Sequence, residues 1–113
     1  MQIPSSATLL RVFIGESDRW ENLPLYEAIV QKARAAELGG ATVLRGQMGY
    51  GASSRIHTAK ILRLSLDLPL VIEIVDSREK VEAFLPQLKE MTHGGGLITL
   101  EKVEVAHYAP RKA

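Results

Sequence analysis

The chain has 113 residues, with 14 Lys+Arg against 13 Asp+Glu for a formal net charge of +1, 46% hydrophobic residues and no cysteine. That length suits a single domain spanning 1–113, with an ordered core over about 8–108, and the hydrophobic content excludes a disordered chain. The missing thiols exclude disulfide and cysteine–zinc scaffolds, and the near-neutral balance argues against nucleic acid as a partner, because such binders carry a basic excess.

No charged segment followed by a long apolar stretch opens the chain, and no apolar run nears the roughly 18 residues of a membrane span. A cytoplasmic protein is expected. Residues 8 to 16, TLLRVFIGE, are rich in β-formers and read as a first strand ending at Gly15. Pro24 suits a first helical turn, where its missing N–H needs no partner. Leu25, Ala28, Ile29, Ala33 and Ala36 then recur at helical spacing, and Gly39-Gly40 is expected to close that helix. Trp20 and Tyr26 flank its start as packing residues; at 5% aromatic the chain is too sparse for a base-stacking surface.

Ala41 to Met48 reads as a second strand, running into the glycine-spaced stretch Gly49-Tyr50-Gly51-Ala52-Ser53-Ser54, an exposed loop. From Ile61 the apolar residues alternate with Arg63, Ser65 and Asp67, and beyond Pro69 the run LVIEIV is nearly all apolar. A long third strand, bent at Pro69, is expected. Asp76 and Glu79 have capping-box spacing. Val81, Phe84, Leu85, Leu88 and Met91 form a helical stripe, with a kink or restart expected near Leu85 because of Pro86. Gly94-Gly95-Gly96 follows, and Leu97 to Tyr108 reads as a last strand whose alternation slips by one residue, as a bulge would cause.

The order strand–helix–strand–strand–helix–strand predicts an α+β, ferredoxin-like βαββαβ fold: a four-stranded antiparallel sheet with two helices on one face. The other face is left bare by that arrangement. Strand three is apolar on both sides, so a further subunit is expected to cover it.

Candidate chemistry concentrates in two glycine clusters at strand ends, Gly46, Gly49 and Gly51, then Gly94, Gly95 and Gly96. Glycine lets backbone approach a ligand and turns successive N–H groups toward an anion. The same glycines also suit a helix C-cap, bulges or turns. Arg55, His57 and Lys60, flanked by Arg45 and Arg63, add side chains suited to phosphate oxygens or to a solvated surface loop. The three histidines share no metal-ligand spacing, so no metal site is expected. A different reading makes the chain a small oligomeric enzyme with His57 as acid–base and Glu16 or Asp18 nearby. A third makes it an assembly module whose glycines are purely conformational.

The segments FIGESD, PLYEAIVQKAR, GATVLRGQMGYG, RIHTAKILRLS, LPLVIEIVDS, FLPQL and GLITLEKVEV resemble a PII-like family, domain-of-unknown-function 190, over roughly Leu10 to Val105. LDLPLVIEIV and Gly49-Tyr50-Gly51 are more distantly similar to PII signalling proteins. The resemblance implies a homotrimeric, non-catalytic regulator that binds an adenine nucleotide between subunits. Gly49 and Gly51 match the base of the PII T-loop, and Gly94 to Gly96 match the B-loop. Leu97 follows those glycines where PII proteins carry a phosphate-contacting lysine, and the loop is short, which turns the expectation from ATP to AMP or ADP as effector. The nucleotide-binding set is therefore Arg45, Gly49, Gly51, Arg55, His57, Gly94, Gly95 and Gly96. The loop from Ala52 to Lys60 is expected to change order on binding and to dock on a partner. Relatives of this kind are often encoded beside a fluoride exporter, which makes a membrane transporter one candidate partner and an enzyme another.

Overall fold

The structure, a computed structural model, describes residues 2–50, 57–58 and 67–111, with 57–58 described by their backbone. Its elements in chain order are β1 (Ser6–Gly15), β2 (Arg19–Trp20), β3 (Leu23–Pro24), α1 (Leu25–Ala35), β4 (Thr42–Arg45), β5 (Met48–Gly49), β6 (His57–Thr58), β7 (Pro69–Asp76), α2 (Arg78–Met91) and β8 (Leu97–Glu104). The main sheet has the order β4-β7-β1-β8, and every neighbouring pair is antiparallel. With two helices joining the strands, this is the expected α+β ferredoxin-like arrangement.

Alternation within the central strands explains the two layers. Leu10, Val12 and Ile14 of β1 and Leu70, Ile72 and Ile74 of β7 are buried, and they pair directly with one another across the strands. Directly paired residues share a face. On that face they meet Leu25, Ala28, Ile29 and Ala33 of α1 and Val81, Phe84, Leu88 and Met91 of α2 in one core. Each helix thus spends its apolar stripe on the same side of the sheet.

Several local expectations are corrected. The helix α1 ends at Ala35, and the left-handed residue beyond it is Glu37 (φ 61°), not a glycine. Gly39 is closely packed instead: a Cβ there would lie 2.5 Å from Ile3 Cδ1 and 3.2 Å from the Val75 carbonyl oxygen. Ala36 is exposed, and Leu38 takes the buried position instead. Pro24 precedes the helix as the last residue of a small hairpin, β2–β3, which has no separate signature in the sequence.

The cap of α2 is Ser77, whose side chain accepts from the Lys80 N–H, rather than Asp76. Asp76 is the fully buried last residue of β7, accepting from the N–H groups of Gly39 at 2.8 Å and Ser77 at 2.6 Å, with Lys80 Nζ at 3.8 Å. It ties the α1–β4 connection to the start of α2. The second helix runs unbroken through Pro86, because its packed stripe outweighs the one backbone bond that proline removes. In β8 the register to β1 is continuous from Ser6↔Glu104 to Phe13↔Leu97, so the phase slip is not a bulge. It records a change in which face holds the apolar residue along an edge strand. β7 begins at Pro69, where a strand-initial proline forfeits no ladder bond; the expected stretch from Ile61 lies outside the described residues. Its residues 71, 73 and 75 are half-buried, alternating with buried 70, 72 and 74.

The face away from the helices carries an unusual row. Leu44 pairs with Val71, Val71 with Phe13, and Phe13 with Leu97, so one apolar line crosses all four strands. Leu44, Phe13 and Leu97 are 48%, 37% and 57% exposed. The next row is polar. Arg11 donates to Glu73 at 2.9 Å and to Glu101 at 3.0 Å, and the Glu73 hydrogen bond raises the guanidinium above its ordinary range, against a smaller lowering by desolvation.

Candidate functional site

Strand direction gathers the chemistry at one end of the sheet. β1 and β4 finish there, and β7 and β8 begin there, so Glu16, Arg45, Pro69 and Gly96 share that end. Backbone bonds hold it: Glu16 N–H donates to the Leu68 carbonyl at 2.8 Å, and Gly46 N–H to the Pro69 carbonyl at 2.7 Å. Two aspartates complete the turn after β1. Asp18 accepts from Gly15 N–H at 2.9 Å, and Asp67 from Ser17 N–H at 3.0 Å.

Glu16 and Arg45 are brought together by the fold. The Arg45 guanidinium pairs with Glu16 Oε2, while Glu16 Oε1 is buried and has no hydrogen-bond partner among the described residues. The pair lines a hollow of about 260 Å³ with Tyr26, Val43 and Leu70. Arg45 lies across from Leu70, whose side chain faces the helices, so this hollow opens on the helix side of the β4 edge.

The other sequence-derived residues fall into three groups. Gly49 sits in β5, paired with His57 of β6, and a Cβ on it would lie 3.0 Å from Pro69 Cγ; at Gly46 the distance would be 2.9 Å. Close packing on Pro69 already favours glycine at both positions without any ligand. Gly94, Gly95 and Gly96 form the turn into β8, with Gly95 N–H donating to Thr92 O at 3.0 Å. A Cβ at Gly94 or Gly95 would meet nothing within 4 Å, so the backbone there is open to approach, and Gly95 and Gly96 adopt φ of 153° and 151°. Gly51, Arg55 and the mobile-loop assignment to 52–60 lie outside the described residues, as does the side chain of His57.

Among the described residues, Arg45 and the open glycine turn do not converge within one chain. Arg45 is on the outer strand β4, and Gly96 packs against Ile14 beside the opposite outer strand, β8. Three strand spacings of roughly 4.8 Å separate them, or about 14 Å. Of the residues in the enzyme reading, Glu16 pairs with Arg45 and Asp18 accepts from Gly15 N–H, while the side chain of His57 lies outside the described residues. Among the described residues there is no cluster of three or more potential metal ligands, and no helix is long and apolar enough to cross a membrane.

The sequence pointed to Arg45 but gave no cue that Glu16 would be its partner. Residues 29 apart on strands that are not neighbours meet only through the topology. Glycine spacing likewise could not separate the glycines packed on Pro69 from those of the open turn.

The fold has solved counterparts. The structure is similar to that of CPII, a nitrogen regulatory PII-like protein from Thiomonas intermedia K12 bound to ADP, AMP and bicarbonate, with a TM-score of 0.71, 14% identity and 90% of each chain covered. A second structure of CPII, bound to ADP and bicarbonate, gives a TM-score of 0.68 at 14% identity and the same coverage. The subunit therefore has the fold of PII-like proteins. The family model DUF190, described as "Uncharacterized ACR", matches residues 7–105, and the chain belongs to this family. A UPF0166 protein of Aquifex aeolicus is 41% identical over 99 residues, covering 88% of this chain and 92% of the relative. A UPF0166 protein of Methanocaldococcus jannaschii is 34% identical over 99 residues, covering 88% and 91%.

Proposed function

We propose that this chain is a PII-like regulatory protein, active as a homotrimer in the cytoplasm, that binds AMP or ADP in clefts between subunits. It performs no chemistry on the nucleotide. Its occupied and empty states differ in the loop over 52–60, which engages a partner such as a membrane transporter or an enzyme. The nucleotide site comprises Arg45, Gly49, Gly51, Arg55, His57 and the turn Gly94 to Gly96.

One observation carries this reading: the open glycine turn and the Arg45 side of the sheet stand at the same end but on opposite edges. A single subunit offers half a site at each edge, and a second copy is needed to bring the halves together. The apolar row from Leu44 to Leu97 supplies a surface for that association, with the Arg11 ion pairs beside it to set orientation. The CPII structures, which hold ADP or both ADP and AMP on the same fold, support the choice of ligand.

The test is a thermal-shift series with AMP, ADP, ATP and cyclic nucleotides, run beside light scattering. A ligand at 100 times its dissociation constant adds about 2.7 kcal/mol and raises the midpoint by several degrees. A selective AMP or ADP shift on a trimer, with the nucleotide recovered intact, is the expected result. No shift with any nucleotide overturns the reading, and so does nucleotide turnover.

A further inference from the structure

The two outer edges of the main sheet are complementary. Among the described residues β4 and β8 each have a neighbour on one side only, β7 for β4 and β1 for β8. A strand edge left open presents backbone N–H and C=O groups that pair readily with another strand. Gly46 N–H donates to the Pro69 carbonyl, so Gly46 and, by alternation, Leu44 turn their backbone groups toward β7, while Val43 and Arg45 turn theirs outward. Val105 N–H donates to the Ser5 carbonyl, so the odd-numbered residues of β8 face β1, and Ile98 turns outward.

β4 runs parallel to β1 and β8 antiparallel to it, so the two edge strands run in opposite directions. Rotation about an axis along the strands preserves those directions, and β8 of one copy then meets β4 of the next as an antiparallel pair. One register matches the side chains. With Ile98 across from Val43, two half-buried aliphatic residues meet on the helix side, where their own partners Val12 and Ile72 are buried. On the bare face Leu97 then meets Leu44, continuing the apolar row from copy to copy, and Thr99 meets Thr42. A slip of two residues either way sets Leu97 across from Gly46 or Thr42 and breaks the row. A slip of one would turn every side chain to the wrong face. Carried one residue further, the matching register places Arg45 of the next copy across from Gly96, about 5.5 Å away between Cα atoms.

We propose that β8 of one copy adds to β4 of the next in this register, joining the sheets edge to edge and setting Arg45 of one subunit on the open glycine turn of its neighbour. A contact between two unlike edges is heterologous, and such contacts close into a ring when the rotation allows. This rests on the homotrimer reading above and goes beyond it by assigning the strands that join and the register that completes the nucleotide site.

Disulfide trapping on the full chain tests the register, because the chain has no cysteine of its own. Thr99 and Thr42 would form a pair that shares no backbone bonds, where Cα atoms lie about 4.5 Å apart, within the span of a disulfide. Inside one chain the two are three strand spacings apart, roughly 14 Å, which no disulfide bridges. Oxidised Thr42→Cys/Thr99→Cys should therefore run as a covalent trimer on a non-reducing denaturing gel. Leu44→Cys/Leu97→Cys, a second pair in the same register, serves if the first does not fold. Each single variant should run as a monomer, and so should Thr42→Cys/Leu97→Cys, which is out of register by two residues. A trimer by light scattering in which neither in-register pair links, or in which a single variant or the slipped pair links as well as they do, overturns the edge pairing while the homotrimer reading stands. A monomeric wild-type protein overturns both.

Discussion

Phe13 and Leu97 stand directly opposite one another across β1 and β8, on the face of the sheet that the helices leave bare. Through Val71 and Leu44 their contact extends to the far edge, giving a continuous apolar line beside a charged one. An apolar line on an otherwise polar face gains by being covered, and its charged neighbours restrict how a second copy can sit.

If the proposed trimer is joined through this face, Leu97→Glu should dissociate it while leaving the subunit folded. Leu97 is 57% exposed in the isolated chain, so the subunit itself should lose no more than about 0.5 kcal/mol. Light scattering should report a smaller particle with a native circular dichroism spectrum. An unchanged mass in both Leu97→Glu and Leu44→Glu would remove this face from the assembly.

The buried carboxylate of Asp76 gives a second prediction. It receives two backbone N–H groups from different segments, and Asp76→Ala would leave both without that acceptor. A loss of about 2–4 kcal/mol in urea unfolding is expected. Ser77→Ala, which removes only the helix cap, should cost about 1 kcal/mol. Equal losses for the two would mean that Asp76 does no more than a cap.

Much of this architecture is readable along the chain, because its cause is local. The stripes of α1 and α2 are periodicities and the apolar run of β7 is a composition that each segment carries alone, and the order of elements then admits few topologies; the alternation of burial along β7 comes from the helices covering only one face. The failures share a different cause. Asp76 and Glu79 match a capping box in spacing, yet burial at the end of β7 gives Asp76 another role and leaves Ser77 to cap. Gly39-Gly40 looked like a helix stop, whereas Gly39 answers to Ile3 and Val75, residues 36 positions away in either direction. The Glu16–Arg45 pair is of the same kind, since its members are joined by strand order and not by spacing.

Glu37 offers a prediction that needs no ligand. Its φ of 61° places a residue with a Cβ and an acidic side chain in the left-handed region just beyond α1. Glycine reaches that region without the Cβ penalty, so Glu37→Gly should stabilise the subunit by about 0.5–1 kcal/mol, net of the entropy glycine adds to the unfolded chain. A rise in the thermal midpoint with no change in oligomer mass is the expected result, and a fall would show that the Glu37 side chain contributes more than its strain costs.

The two glycine clusters can be told apart by one methyl group. At Gly49 a Cβ would come within 3.0 Å of Pro69 Cγ, in the packed base of the β4–β7 edge. Gly49→Ala should therefore lower the thermal midpoint, through a local overpacking cost of about 1–3 kcal/mol. At Gly94 a Cβ would meet nothing within 4 Å, and the backbone there is not in the left-handed region. Gly94→Ala should leave the midpoint unchanged in the absence of ligand. Its methyl group would nevertheless occupy the space through which a phosphate reaches the turn, so AMP affinity should fall by about tenfold, the equivalent of about 1.4 kcal/mol. The midpoint and the affinity thus respond to different glycines for different physical reasons. If Gly94→Ala keeps full affinity, the phosphate does not approach this turn, and the turn serves only to carry the chain from α2 into β8.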